Sequence, residues 1–272
     1  MPSILWPIFK QNRHLLHDLP TLGASVIEHW MKTKYGVRVI IMVIQHTFGG
    51  HLNFNCHLHI LVSAGGLQES EGRWIALLNF NKETLMRMWR DAVITYLCEA
   101  LKMQVLQSER DHKDLMRVFQ DEYKRPRWII YLRASMSKKH FLQYAARYAR
   151  RPPIAQSRLL QVTDGKVEFW TKDKKQQRTV TTWHSLQDFV VLLAEHILDR
   201  YRHAIRYFGL LAPRAKSVTS EALFALVGQG RCARPKRLSW QRSLQKYFDI
   251  DPLIDSYGRS MRWARRLKPS IN

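Results

Sequence analysis

The sequence VRVIIMVIQHTFGGHLNFNCHLHILVS, residues 37–63, contains two consecutive β-strand patterns. Residues 37–46 form a β-branched, apolar run that is typical of a central strand. Gly49-Gly50 then predicts a turn, and residues 55–63 alternate as they do in a half-buried strand. The stretch therefore predicts an antiparallel pair of strands within a β-sheet.

Two histidines share one face of the second predicted strand. His57 and His59 are two positions apart, so their imidazoles lie roughly 6.5–7 Å apart on the same face, while Leu58 points to the other face. Such a pair can bind one metal ion. For an isolated pair, two ordinary histidines on a half-buried strand are the more frequent case.

A third histidine strengthens the metal hypothesis. His46 closes the preceding strand, where a hairpin would bring it beside His57. Three imidazoles with open coordination positions suit a divalent ion that polarises a phosphate, and we expect Mg²⁺ or Mn²⁺, with imidazole favouring Mn²⁺. His46 is the preferred third ligand. His51 is an alternative, and Gln45 and Asn55 are weaker ones.

Two tyrosines lie four residues apart in FLQYAARYARRPP, residues 141–153. Tyr144 and Tyr148 share one face of a helix that we predict to begin at Ser137 and to end before the two prolines. An activated phenol can attack a phosphodiester, and neighbouring arginines can bind the phosphate oxygens. The alternative is ordinary amphipathic packing with both hydroxyls reaching water.

The remaining pattern predicts an α+β chain. Residues 1–35 have helical periodicity, and Asn79 or Asn81 can cap a helix whose apolar stripe we expect in the core. Charged residues 108–127 predict a helix and a linker. Further strands are predicted near residues 74–78, 128–132, 159–163, 166–171 and 178–183, with a turn at 164–165 and a helix from near Ser185 that includes His196.

The charge of the chain indicates a polyanionic partner. Its 272 residues include 44 Lys and Arg against 22 Asp and Glu, a net charge of +22. Residues 124–163 contain basic but no acidic residues, and basic residues also dominate from residue 200 onward. Basic patches of this kind are typical of nucleic-acid binding. Candidate phosphate contacts are Arg147, Arg150, Arg151 and Arg158. Three aromatic residues could stack on bases or could instead belong to the core: Trp128, Tyr131 and Trp170.

Several protein classes are disfavoured by the composition. The 46% hydrophobic content is too high for a disordered chain. The sequence contains neither an apolar run of about 18–20 residues nor a secretory signal. Three widely spaced cysteines argue against a disulfide scaffold. We therefore expect a cytoplasmic protein with no membrane partner and no small-molecule cofactor.

The motif His57-x-His59, followed by Tyr144-x3-Tyr148 on a basic helix, resembles the HUH endonucleases. More closely, the chain is similar to the two-tyrosine rolling-circle transposases of the IS-ninety-one type. The similarity extends over residues 5–19, 44–67, 127–134, 141–160 and 203–216. It implies a metal held by the two histidines, with both tyrosines acting as nucleophiles that form 5′-phosphotyrosine links. It also implies a bacterial protein that moves single-stranded DNA between insertion-sequence ends and a target.

Two departures from that family concern zinc. Its members usually carry a Cys/His-rich zinc-binding segment ahead of the LWPIF-like region, whereas Met1 stands just before that region here. We therefore expect this segment to be lacking, either because the start is truncated or because this branch has no zinc module. Some members also carry a CxxC after a DPL motif. Here residues 251–253 are DPL, but no cysteine follows.

The predicted architecture is an HUH-endonuclease-like antiparallel sheet with flanking helices, followed by a basic α/β C-terminal region. We divide it into a helical segment (1–36), a catalytic domain (37–163) and a basic DNA-binding region (164–272). The predicted function is that of a transposase that nicks and transfers single-stranded DNA. One alternative is a relaxase or replication initiator of the same class, which a helicase or primase extension would favour. The other is a non-catalytic DNA-binding remnant, which would bind DNA without metal-dependent cleavage.

Overall fold

The computed structural model describes residues 1–76, 79–126, 128–133, 138–149, 151–173, 178–213 and 238–262. The chain divides into two compact units, residues 1–229 and 230–272. In the second unit a helix spans Trp240–Phe248, and Ile254 forms an isolated bridge with Ser260. The functional boundaries expected at residues 36 and 163 stay predictions.

The central sheet has four antiparallel strands. They are β1 (Arg38–Phe48), β2 (Phe54–Gln68), β3 (Arg73–Ile75) and β7 (Ile205–Gly209), in the order β3-β2-β1-β7. β1 is an inner strand, as its apolar run predicts, and every second residue of its first half is fully buried. The predicted strand pair around the glycine turn is confirmed.

The sequence also contains a Gly65-Gly66 dipeptide, which by itself predicts a loop before the strand near residues 74–78. That prediction is wrong, because both glycines lie inside β2. Gly66 pairs with Val39 on one side and with Ile75 on the other. A Cβ at Gly66 would lie 2.7 Å from Val37 Cγ2. Glycine at this position allows the neighbouring chain to approach β2 closely. The dipeptide alone had indicated an end of the strand.

Helices cover the sheet. The N-terminal segment is helical as predicted: α1 spans Trp6–Gln11, and α2 spans Leu19–Tyr35 and ends at Gly36, which has a positive φ of 64°. The next helix, α3 (Lys82–Lys102), is capped by Asn81, whose side chain accepts a hydrogen bond from the Thr84 amide. Half of its apolar stripe is buried and the other half packs, partly buried, against the core, which confirms the core prediction.

Residues 128–132 do not form the predicted strand. After α4 (His112–Lys124), Trp128 is buried and its indole N–H donates to the Glu122 carbonyl. Ile129 and Tyr131 instead expose most of their surface to solvent. The main chain pairs with no strand within the described part of the protein, so Trp128 anchors an irregular segment despite the local β propensity.

A second, three-stranded antiparallel sheet follows α5 (Lys138–Ala149). Its strands are β4 (Leu159–Thr163), β5 (Lys166–Asp173) and β6 (Arg178–Ser185), in the order β4-β5-β6. The helix α6 (Leu186–Ala194) begins at Ser185, whose hydroxyl accepts from the Asp188 amide. These elements lie where the sequence predicts them, although α6 ends before His196.

Together these elements confirm the α+β class. The histidines lie on the antiparallel central sheet, as expected. Among the helices in the described ranges, none combines the length and the apolar character that crossing a membrane requires.

Candidate metal and tyrosine site

The register of β1 with β2 gathers three histidines. His46 lies directly opposite His57, and His59 lies opposite Ile44. The three histidines offer ring nitrogens that lie within 4.8 Å of one another. The structure therefore brings His46 to the predicted pair through the register of the β1–β2 hairpin.

The other possible third ligands lie elsewhere. His51 is exposed in the turn. The Gln45 side chain is buried on the opposite face of β1, where its amide donates to the Leu16 carbonyl at 2.8 Å. The carbonyl of Asn55 accepts a hydrogen bond from a histidine of the cluster, a role that does not require its side chain.

Backbone carbonyls orient two of the rings. His46 Nε2 lies 3.0 Å from the Tyr148 carbonyl, and His57 Nδ1 lies 2.8 Å from the Asn55 carbonyl. Because a carbonyl can only accept, both nitrogens carry the proton. The second nitrogen of each ring is then the one with a lone pair. Metal-binding histidines commonly donate their other N–H to a carbonyl in this way.

Two ring nitrogens of the cluster are buried without a hydrogen-bond partner among the described residues. They are Nδ1 of His46 and Nε2 of His59. A buried nitrogen that makes no hydrogen bond carries a free-energy cost, which a bound cation would offset. The donor set of three imidazoles therefore fits a divalent metal ion.

Burial keeps these imidazoles neutral. It lowers the pKa of His46 to about 4, with the charges of His57 and Arg151 adding to the effect while the hydrogen bond to Tyr148 opposes it. Burial and the same neighbouring charges lower the pKa of His59 to about 3. Since only a neutral imidazole binds metal, both rings are available as ligands at neutral pH.

Both tyrosines pack on the histidine cluster. The Tyr148 ring lies 4.1 Å from the His59 ring, centroid to centroid, and the two tyrosine rings lie 4.3 Å apart. The hydroxyl of Tyr144 lies 3.3 Å from His59 Nδ1. Burial is the main cause that raises the pKa of the Tyr144 phenol. The neighbouring Tyr148 raises this pKa further, through its proximity and through a hydrogen bond. The predicted tyrosine face of α5 is thus turned toward the histidines.

The predicted arginines occupy different surroundings. The Arg151 guanidinium lies 5.8 Å from the centre of the Tyr148 ring, at the edge of the site. Arg147 is exposed on α5. Arg150 and the predicted helix start at Ser137 lie outside the described residues. Phosphate binding by these arginines stays a prediction.

Arg158 connects the second sheet to the histidine-bearing strands. Its Nε donates to the Trp170 carbonyl at 2.9 Å, and its Nη2 donates to the Gly50 carbonyl in the β1–β2 turn. The Thr171 hydroxyl donates to the same Gly50 carbonyl at 2.9 Å. From the sequence, Arg158 is expected only to contact a phosphate. That contact stays a prediction, whereas the bridging hydrogen bonds are observed.

The β1–β2 turn inserts into the core of the second sheet. Leu52 has a positive φ of 58°, is fully buried, and packs with Val167, Phe169 and Phe189. His196 donates from Nε2 to the Leu52 carbonyl at 2.9 Å and accepts from the Thr47 hydroxyl at 3.2 Å. The sequence analysis missed this role. Its only local signal was a histidine at the end of an apolar helix.

The three aromatic candidates for base stacking differ in exposure. Trp128 belongs to the core. Trp170 donates its indole N–H to the Ser157 carbonyl, and Arg158 covers its ring. Tyr131 is 89% exposed and presents an open ring to solvent.

Comparison with known proteins identifies relatives. Residues 40–218, which include the three histidines and both tyrosines, match the profile of a family described as "Putative transposase". The "Transposase for insertion sequence element IS801" of Pseudomonas savastanoi pv. phaseolicola is 30% identical over 262 residues, covering 93% of this chain and 62% of that protein. "Putative transposase y4qJ" of Sinorhizobium fredii is 27% identical over 229 residues, covering 79% and 57%. The chain thus spans about three fifths of the length of these relatives. No solved structure matches it significantly.

Proposed function

Because the chain belongs to this transposase family, we propose that it is a DNA transposase that nicks and transfers single-stranded DNA through 5′-phosphotyrosine intermediates. The observation that carries the proposal is the packing of Tyr144 and Tyr148 against three clustered histidines. Nucleophile and metal-ligand candidates that lie far apart in sequence thereby share one site.

The histidine cluster would hold a divalent ion, Mg²⁺ or Mn²⁺. The buried nitrogens of His46 and His59 support this assignment, as do the carbonyls that fix the protons of His46 and His57. When bound, such an ion supplies positive charge that stabilises negative charge developing on the phosphate and the leaving oxygen.

The tyrosines would carry the covalent step. The phenol oxygen of Tyr144 or Tyr148 attacks the phosphorus and loses its proton to solvent. The bond from phosphorus to the 3′ oxygen breaks, and that oxygen takes up a proton as a free hydroxyl. One phosphodiester becomes another, so a 3′ hydroxyl can later reverse the reaction and join the strand elsewhere.

Arg151 supports the same chemistry from the rim of the site. Its guanidinium lies beside the Tyr148 ring and close enough to the histidines to lower their pKa. A guanidinium in this position can donate two parallel hydrogen bonds to the non-bridging oxygens of a phosphate. We assign it to holding the scissile phosphate near both phenols.

Membership of the transposase family supports DNA as the substrate. We propose single-stranded DNA at the ends of an insertion sequence and at its target, acted on in the bacterial cytoplasm. The net charge of +22 supports a polyanionic substrate.

A covalent-adduct assay tests the proposal. The purified chain is incubated with single-stranded oligonucleotides from the element's ends, labelled at the 3′ end, with Mn²⁺ or with EDTA. The proposal predicts a labelled, SDS-resistant protein band that requires the metal and disappears in the double variant Tyr144→Phe/Tyr148→Phe. DNA binding without any adduct would contradict the proposal and favour a non-catalytic DNA-binding protein.

A further inference from the structure

A basic pocket lies across β1 from the histidine cluster. Gln45 and Thr47, the two neighbours of His46 in the strand, line this pocket of about 30 Å³. Because successive side chains of a strand point to opposite faces, the pocket and the cluster lie on opposite sides of the central sheet. The rest of the wall comes from two parts of the chain: Arg13, Leu16 and His17 in one, and Leu198, Asp199, Arg202, His203 and Arg206 in the other.

The pocket wall carries unneutralised positive charge. Its basic members include Arg13, Arg202 and Arg206, whereas Asp199 is its one acidic member, and Arg13 already binds the Asp199 carboxylate at 3.1 Å. Within the described ranges, no carboxylate pairs with Arg202 or Arg206. Burial, followed by the charges of these two arginines, lowers the pKa of His17 at the same wall.

An exposed aromatic residue directly precedes Arg202 in the chain. Tyr201 is 81% exposed and has a positive φ of 64°, which a tyrosine rarely adopts. The Arg200 guanidinium lies 4.8 Å from the centre of the ring and covers one face. At 81% exposure the ring remains open to a stacking partner. Aromatic rings set among arginines are a common means of binding single-stranded nucleic acid.

The segment that carries these side chains is anchored to the central sheet. The Arg206 side chain in β7 donates to the His17 carbonyl at 2.8 Å, and the backbone N–H of Gln45 donates to the Ala204 carbonyl at 2.8 Å. Arg13 holds the preceding residues through the carbonyls of Glu195 and Ile197. The backbone of this segment and the Arg206 side chain are therefore held in place before any ligand binds, which reduces the entropy lost on binding.

We propose that residues 200–206 form a second contact site for single-stranded DNA, in which Tyr201 stacks on a base and Arg202 and Arg206 bind backbone phosphates. The choice of DNA as the ligand rests on the proposed function. Since the site lies on the opposite side of the sheet from Tyr144 and Tyr148, it binds nucleotides other than those at the scissile bond.

Binding of a fluorescent single-stranded oligonucleotide, followed by anisotropy, tests the stacking role. Tyr201→Asn removes the ring but suits the left-handed backbone, and it should weaken binding about tenfold. Tyr201→Phe should retain wild-type affinity. The matched control is Tyr123→Asn, because Tyr123 is half exposed and Arg90 also covers its ring, but it lies on α4.

The salt dependence of binding tests the phosphate role. Loss of one phosphate contact should reduce the slope of log affinity against log salt by about 0.7 for a single strand. We expect this change for Arg202→Ala and none for Arg117→Ala, which removes another exposed arginine, from α4. An equal change of the salt slope in Arg202→Ala and Arg117→Ala would overturn the proposal. So would an equal loss of affinity in Tyr201→Asn and Tyr123→Asn.

Oligonucleotide length separates this site from the catalytic one. Tyr201→Asn should weaken binding of oligonucleotides extended to one side of the nick, but not of short ones that span the nick alone. An equal loss on the short oligonucleotides would overturn the proposal of a separate site. If the wild-type chain forms no adduct while the binding effects persist, the proposed nuclease function fails and this site stands.

Discussion

His46 and His57 lie directly opposite each other across β1 and β2, with their ring centroids 5.5 Å apart in an edge-to-face arrangement. This pairing explains how residues eleven positions apart can act as one ligand set. A slip of one residue in the register would turn one strand's histidines to the other face of the sheet. The metal-site proposal therefore depends on whatever fixes the hairpin.

Removing one histidine of the cluster should weaken metal binding. His59→Ala deletes a buried ring nitrogen that makes no hydrogen bond among the described residues, and we expect Mn²⁺ affinity to fall by at least tenfold in titration calorimetry. His51→Ala is the control, because His51 is exposed in the neighbouring turn. Equal losses in the two variants, or none in either, would contradict the assignment.

The metal-free protein should lose stability as the pH falls from about 6.5 toward about 4. In this range the unfolded chain protonates His46 and His59, whereas the folded chain holds the pKa of these residues at about 4 and about 3. The unfolded state then binds more protons, so the free energy of unfolding decreases with decreasing pH. Urea unfolding at several pH values measures this slope.

The variant His59→Gln removes one of the two titrating groups and should flatten the slope. His203→Gln removes an exposed histidine and should leave it unchanged. A slope that is the same in wild type and His59→Gln would show that this buried imidazole does not govern the acid dependence.

Leu52, the buried tip of the β1–β2 hairpin, should help to position the histidine cluster. Leu52→Ala leaves a cavity in the second sheet's core and should lower the free energy of unfolding by about 2–5 kcal/mol. We also expect weaker Mn²⁺ binding under conditions where the variant is still folded, because the turn that fixes the β1–β2 register loses its anchor. Calorimetry and urea unfolding measure the two effects separately.

Phe189→Leu is the matched comparison for Leu52→Ala. It disturbs the same core from the α6 side without altering the turn. It should lower stability while leaving Mn²⁺ affinity near that of wild type. If both variants lose metal affinity in proportion to stability, the tip has no specific positioning role.

The His196 side chain should contribute to the same positioning. His196→Phe removes the hydrogen bonds to the Leu52 carbonyl and to Thr47, while keeping a ring beside Phe48. We expect reduced Mn²⁺ affinity and a changed Mn²⁺ electron paramagnetic resonance spectrum, which a loss of stability alone would not produce. An unchanged spectrum and affinity would contradict this role.

The site could be predicted from sequence where its pattern is local. The two-residue period of β2 places His57 and His59 on one face, and the four-residue spacing places Tyr144 and Tyr148 on one side of α5. The position of His46 could be anticipated as well, since a tight turn joins two adjacent strands. Periodicity and turn chemistry are properties of short stretches, so sequence alone carries them.

The features that sequence analysis missed depend on distant contacts. Gly65-Gly66 suggests a loop until Val37 and β3 are known to pack beside it. Residues 128–132 have strand propensity but no pairing strand among the described residues. The contact of Leu52 with Phe169 joins residues that are more than a hundred positions apart. No local pattern encodes such a pairing.

Peptide mapping after reaction with DNA shows whether Tyr144 or Tyr148 becomes covalently bound to the strand. Trypsin cleavage after Arg147 would place Tyr144 in residues 140–147 and Tyr148 in residues 148–150. After reaction with a single-stranded oligonucleotide and nuclease digestion, mass spectrometry should find a nucleotide linked through its 5′ phosphate to one of these two peptides. A linkage at any other residue would contradict the account.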